Sequence, residues 1–115
     1  MAAESIIRST SASLDGRRFD GVVLECGKSA GDADTLLFDG GRFRSTACDR
    51  YGYGDGPYTT TNGAGNIIFE AQTESAKYGT LRWRGVVCGA RLDATLTMVR
   101  DGTPVGEKWV LAGQV

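Results

Sequence analysis

Apolar and polar residues alternate through much of the chain. Ile67, Phe69 and Ala71 share one face, with Glu70 and Gln72 on the other. Leu81, Trp83 and Val87 oppose Arg82 and Arg84, and Leu92, Ala94, Leu96 and Met98 oppose Asp93, Thr95 and Thr97. A period of two marks a strand with one dry face and one wet face. The same reading sets Phe43 and Ser45 against Arg42 and Arg44, and puts Trp109 and Leu111 on the dry face opposite Lys108. Turn signals punctuate these runs at Gly27 to Gly31, Asp39-Gly40-Gly41, Asn62-Gly63, Tyr78-Gly79, Cys88-Gly89 and Asp101-Gly102. Each suits a hairpin connection that needs positive φ. The pattern predicts eight strands, at 17–26, 34–39, 42–48, 57–62, 66–74, 80–88, 91–100 and 106–114. Residues 3–13 fit a short helix, an extra strand or an arm.

Regular strands, short turns and no convincing helix predict an all-β meander. Eight strands with one dry face each can close into an antiparallel up-and-down barrel, and closure removes both exposed edges. A two-sheet β-sandwich is the competing architecture. At 115 residues the chain is expected to form a single domain over 1–115, with 1–13 as an N-terminal arm.

Composition narrows the function classes. A formal net charge of -1 leaves no large basic footprint for nucleic acid or an anionic membrane. No apolar run approaches the roughly 20 residues of a membrane helix. The opening "MAAESIIRST" has no basic start and no long apolar core, so no signal peptide is visible. A periplasmic or secreted protein whose signal has been removed and replaced by Met1 would read the same way. Histidine is absent, which removes Ser-His and Cys-His nucleophiles and histidine metal sites. Cys26, Cys48 and Cys88 show no C-x-x-C spacing, so no zinc site is expected. In a meander Cys26 and Cys48 fall at one end of the barrel and Cys88 at the other. The acid pairs Asp32/Asp34 and Asp49/Asp55 lack calcium-loop spacing and suit turns better. "YGYGDG" has no strand–glycine–helix context for a dinucleotide. The expectation is a monomer or homodimer without cofactor, metal or nucleic acid.

The segments "DTLLFDGGRFRS", "NIIFEAQTES", "GTLRWRGVVCGARLDAT" and "GEKWVLAG" together resemble a small bacterial lipocalin-like (calycin) barrel of unknown function, over about residues 14–113. Within that group the likeness includes "FRSTACDRYGYGD" after the third strand, and the last third is similar in style to the final strands of avidin-type barrels. Two features depart from the lipocalin pattern. Gly16-Arg17-Arg18-Phe19 stands where lipocalins carry Gly-x-Trp, and no helix follows the eighth strand before Val115. The polar cluster that avidins use for the ureido group has no match. The resemblance therefore implies a barrel with a cavity, and neither retinoid nor biotin binding.

The candidate site follows from the barrel. "CDRYGYGDGPYTTT" lies where the odd strands finish, and it is expected either to plug that end or to form the lid of a cavity mouth. As a lid, Tyr51, Tyr53 and Tyr58 would contact a small, largely apolar ligand whose body lies against Phe69, Trp83 and Trp109. Those aromatics are core unless the interior is hollow. Glu25 is in phase with Phe19 and Val23, so it would be a polar anchor at the mouth; a β-bulge near Gly21 would instead turn it outward. With no second catalytic group in view, the expected function is binding without catalysis. A filled core with a protein-contacting wall is the alternative.

Overall fold

Two-residue turns set the hairpins. Gly40 and Gly41 have φ of 57° and 77°, and Asp101 and Gly102 have 53° and 77°, the left-handed pair that matches the twist of antiparallel strands. The computed structural model describes residues 14–25, with Glu25 by its backbone alone, and residues 31–115. In it the described chain folds as β1 (Arg18–Glu25), β2 (Asp32–Asp39), β3 (Arg42–Ser45), a 3₁₀ turn (Thr46–Tyr51), β4 (Asp55–Asn62), β5 (Ile67–Ser75), β6 (Gly79–Cys88), β7 (Arg91–Arg100) and β8 (Thr103–Gln114). Each strand pairs antiparallel with the next and β8 returns to β1, so the sheet is a closed eight-stranded barrel. The sandwich is excluded because no sheet edge is left open. Residues 1–13 and Cys26 lie outside the described residues. Cys48 follows β3 and Cys88 ends β6, at opposite ends of the barrel, and both thiols are free.

The dry face is the barrel interior, and one half of it is packed solid. Leu14, Phe19, Leu36, Phe43, Phe69 and Leu92 are fully buried there. The rings meet edge-on or tilted: Phe38 lies 4.9 to 5.9 Å from Tyr58, Phe43, Phe69 and Phe19, and Phe43 lies 4.8 Å from Trp83. Such pairs add to the burial of their area. Gly85 makes room for them, since a Cβ there would stand 2.7 Å from the Phe69 ring and 2.6 Å from Ala94 Cβ. At this closed end the Tyr58 hydroxyl donates to Asp15 Oδ1 at 2.5 Å, and the Gly41 amide donates to the same carboxylate. Thr60 Oγ1 is buried in this half without a partner.

The face assignment of β8 is corrected. Trp109 and Leu111 are 45% and 44% exposed, whereas Val110 is fully buried. Val110 stands opposite Val23 and Ala94, which face inward, and Trp109 stands opposite Leu24 and Thr95. Both faces of this strand carry apolar side chains, so hydropathy did not choose between them and the ladder register did. The β7–β8 register also shifts between Met98 and Val99, where Val105 is the extra residue on β8. The pairing of β1 runs unbroken through Gly21, without the bulge that would reverse its phase, and it sets the Glu25 backbone opposite Lys108. On the outer wall, Arg42 pairs with Asp55, Arg44 with Asp49 and Arg84 with Glu70.

Candidate functional site

β3 is short because its fifth residue starts the 3₁₀ turn. Three anchors hold that turn across the end of the barrel. Asp34 Oδ1 accepts the Ala47 amide at 3.0 Å. Arg44 makes a fork to Asp49 from Nε and Nη2. Ser75 Oγ donates to the Tyr51 carbonyl at 2.7 Å, tying the far end of the turn to β5. Gly52, at φ 84°, then ends it, with its amide on the Asp49 carbonyl. β4 begins at Asp55, two residues before the predicted 57, and Gly56 lies flat against β5 where a Cβ would collide with the Gln72 carbonyl.

Beneath this turn, at the end where the odd strands finish, lies a pocket of about 250 Å³. Val23, Leu81, Leu96 and Met98 form its apolar wall, and Tyr51, Tyr53 and Tyr78 stand along the turn side. Tyr51 and Tyr78 meet edge-to-face with ring centroids 5.7 Å apart. Polar groups reach it from Asp32, Asp34, Arg50, Arg100 and Lys108, and the Cys48 thiol opens on it.

Asp34 and Ser45 make a buried polar pair in the wall. Asp34 is 6% exposed and Ser45 1% exposed. The Ser45 hydroxyl donates to Asp34 Oδ2 at 2.5 Å and lies 3.3 Å from Cys48 Sγ. A serine has one hydroxyl proton, and the carboxylate takes it; the Cys48 thiol then donates to the serine oxygen. Burial raises the Asp34 pKa above its ordinary 3.8, although its hydrogen bonds from Ser45 and Ala47 oppose the shift. Burial likewise raises the Cys48 thiol above its ordinary 9.0, which disfavours the thiolate. Tyr53 is 9% exposed and its phenol is raised by burial, with the neighbouring Arg100 charge pulling the other way.

The sequence-predicted site residues separate into three groups. Tyr51 and Tyr53 line the pocket. Tyr58, Phe69 and Trp83 lie in the packed half and not on the pocket; Trp83 Nε1 donates to Thr73 Oγ1 at 3.3 Å within the core. Trp109 lies on the outer wall, beside Ile68, Val86 and Leu111. The Glu25 side chain lies outside the described residues. Sequence reasoning missed Tyr78, Arg50, Arg100 and Lys108. They come from four separate elements or turns, and only the barrel brings them together. Among the described residues no group of three or more His, Cys, Asp or Glu is placed to hold a metal ion. No described helix is long and apolar enough to cross a membrane.

The architecture is thus an eight-stranded up-and-down barrel with one packed end and one pocketed end. Compared with known proteins, the chain matches no family model, no curated protein and no solved structure.

Proposed function

We propose that this chain is a calycin-like binding barrel that holds one small, largely apolar molecule in its mouth and performs no chemistry on it. The observation that carries this reading is the 250 Å³ pocket set between a solid aromatic floor and an anchored cap. A concave, mostly apolar site with a few convergent polar groups is the usual form of a small-molecule site. The buried carboxylate in its wall, Asp34, is already committed to Ser45 and the Ala47 amide, which suits a structural part better than a general base.

Methyl NMR tests the reading. Titration with hexan-1-ol should shift the Leu81, Leu96 and Met98 methyl signals together, and Leu96→Trp, which fills the pocket, should abolish the response. Uptake unaffected by Leu96→Trp, or no shift at saturating alcohol, would reject the pocket as a binding site.

A second reading, a module whose wall contacts another copy of the chain, is favoured by the exposed outer row. Val86 pairs across β6 and β5 with Ile68, and Leu111 pairs across β8 and β1 with Val22. Sedimentation velocity distinguishes it: an assembly that Trp109→Lys dissolves supports that reading, and a monomer at all concentrations removes it.

A further inference from the structure

Three cationic side chains line the mouth, and none has an ion pair among the described residues, a state that Arg82 shares elsewhere. On the outer wall Arg18, Arg42, Arg44, Arg84 and Arg91 each meet a carboxylate. Arg50, Arg100 and Lys108, which converge on the pocket, have no carboxylate within ion-pair distance among the described residues. Arg50 lies against the Tyr51 ring, 5.4 Å from its centroid. The Tyr53 hydroxyl is the second, independent sign. Its side chain is nine-tenths buried and lines the pocket, yet it has no hydrogen-bond partner among the described residues. Its counterpart at the closed end, Tyr58, is satisfied by Asp15. The hydroxyl opens on the pocket, so it is free to bond whatever fills that space, water or ligand.

The wall offers little negative charge to absorb these donors. Both Asp34 oxygens are already accepting, one from Ser45 and one from Ala47. Asp32 is on the exposed rim. Arg100 is close enough to act electrostatically on the Tyr53 phenol.

We propose, on the footing of the binding-barrel reading, that the pocket takes a short amphiphile with an anionic head, which Arg50, Arg100 and the Tyr53 hydroxyl hold at the mouth while its apolar body lies against Leu81, Leu96 and Met98. Charge-assisted hydrogen bonds from two guanidinium groups and a phenol suit a carboxylate, sulfonate or phosphate ester. The volume sets the body length. At about 30 Å³ for each water-sized atom group, 250 Å³ holds on the order of eight non-hydrogen atoms of the ligand body.

Calorimetric titration of the whole chain at low salt with hexanoate, hexan-1-ol, hexylammonium and inorganic phosphate tests the head-group claim. Hexanoate should bind at least about tenfold tighter than hexan-1-ol, with hexylammonium weakest. Arg100→Gln and Tyr53→Phe should each weaken hexanoate by several-fold to about tenfold and leave hexan-1-ol within about twofold. Arg50→Gln gives the same test on an exposed side chain, where the risk to folding is smaller. Hexan-1-ol binding as tightly as hexanoate would overturn the anionic head while leaving the pocket reading intact. Phosphate alone binding as tightly as hexanoate would overturn the amphiphile. Binding of none of the four would overturn the pocket reading itself.

Discussion

The two ends of the barrel are made from the same strands and finish differently, and two tyrosines show how. Tyr58 and Tyr53 are both buried on the dry side. Tyr58 packs its ring 4.9 Å from Phe38 and gives its proton to Asp15, so burial leaves nothing unsatisfied. Tyr53 sits beside a pocket with its hydroxyl unclaimed and an arginine close by. The difference separates residues that hold the fold from residues available to a ligand. A buried polar group with a partner is structure; one that opens on a pocket without a protein partner marks where another molecule can supply it.

The sharpest break in that comparison is at the packed end. Trp83→Ala should cost about 3–5 kcal/mol in urea unfolding, a large share of a typical domain's stability. Tyr53→Ala at the mouth should cost less, about 2–3 kcal/mol, because part of its volume already adjoins open space. Equal losses would mean that the mouth is as tightly packed as the floor.

Smaller effects refine the picture. Ser75→Ala frees the Tyr51 carbonyl from β5 and should cost about 1 kcal/mol while loosening the turn, read as faster amide exchange at Gly52. Thr60→Val removes the unpartnered hydroxyl in the packed half at nearly constant shape. It should be neutral or stabilise by up to about 1 kcal/mol. A loss above that would show that the hydroxyl has a partner in solution.

The two ends should also respond oppositely to acid. The Tyr58 hydroxyl, and next the Gly41 amide, hold the Asp15 pKa below its ordinary 3.8. That contribution is complete above pH 3.8 and is lost as pH falls further, through the folded-state value. Asp34 lies above its ordinary 3.8, chiefly through burial. Its folded form holds its proton longer than the unfolded one, so its contribution grows as pH falls from neutral through the folded-state value and levels off below 3.8. Denaturation midpoints across this range should lose the acid-side fall in Asp15→Asn and the rise in Asp34→Asn. Identical profiles in all three proteins would remove both assignments. The smallest effect is expected at Tyr51, 46% exposed: Tyr51→Ala should change stability by about 0.5 kcal/mol or less.

How much was legible in the sequence differs by element. β5, β6 and β7 have one apolar and one charged face, so their phase, the barrel interior and most of its core could be read from alternation alone. Glycine pairs marked the hairpins because only left-handed residues close them. The 3₁₀ turn was not legible, since Thr46 to Cys48 continue a strand-like run and bend only where Asp34 and Ser45 capture them. β8 was ambiguous for a different reason. Trp109 and Leu111 on one face and Val110 and Ala112 on the other are both apolar, and the register against β1 and β7 made the choice. The pocket lay furthest from sequence reading. Arg50, Tyr53, Arg100 and Lys108 form no motif, because their nearness depends on strand order and closure and not on spacing along the chain. Local alternation determined that the chain forms strands with one dry face; closure of those strands into a barrel, their register and the unequal filling of its two ends were decided by the tertiary structure.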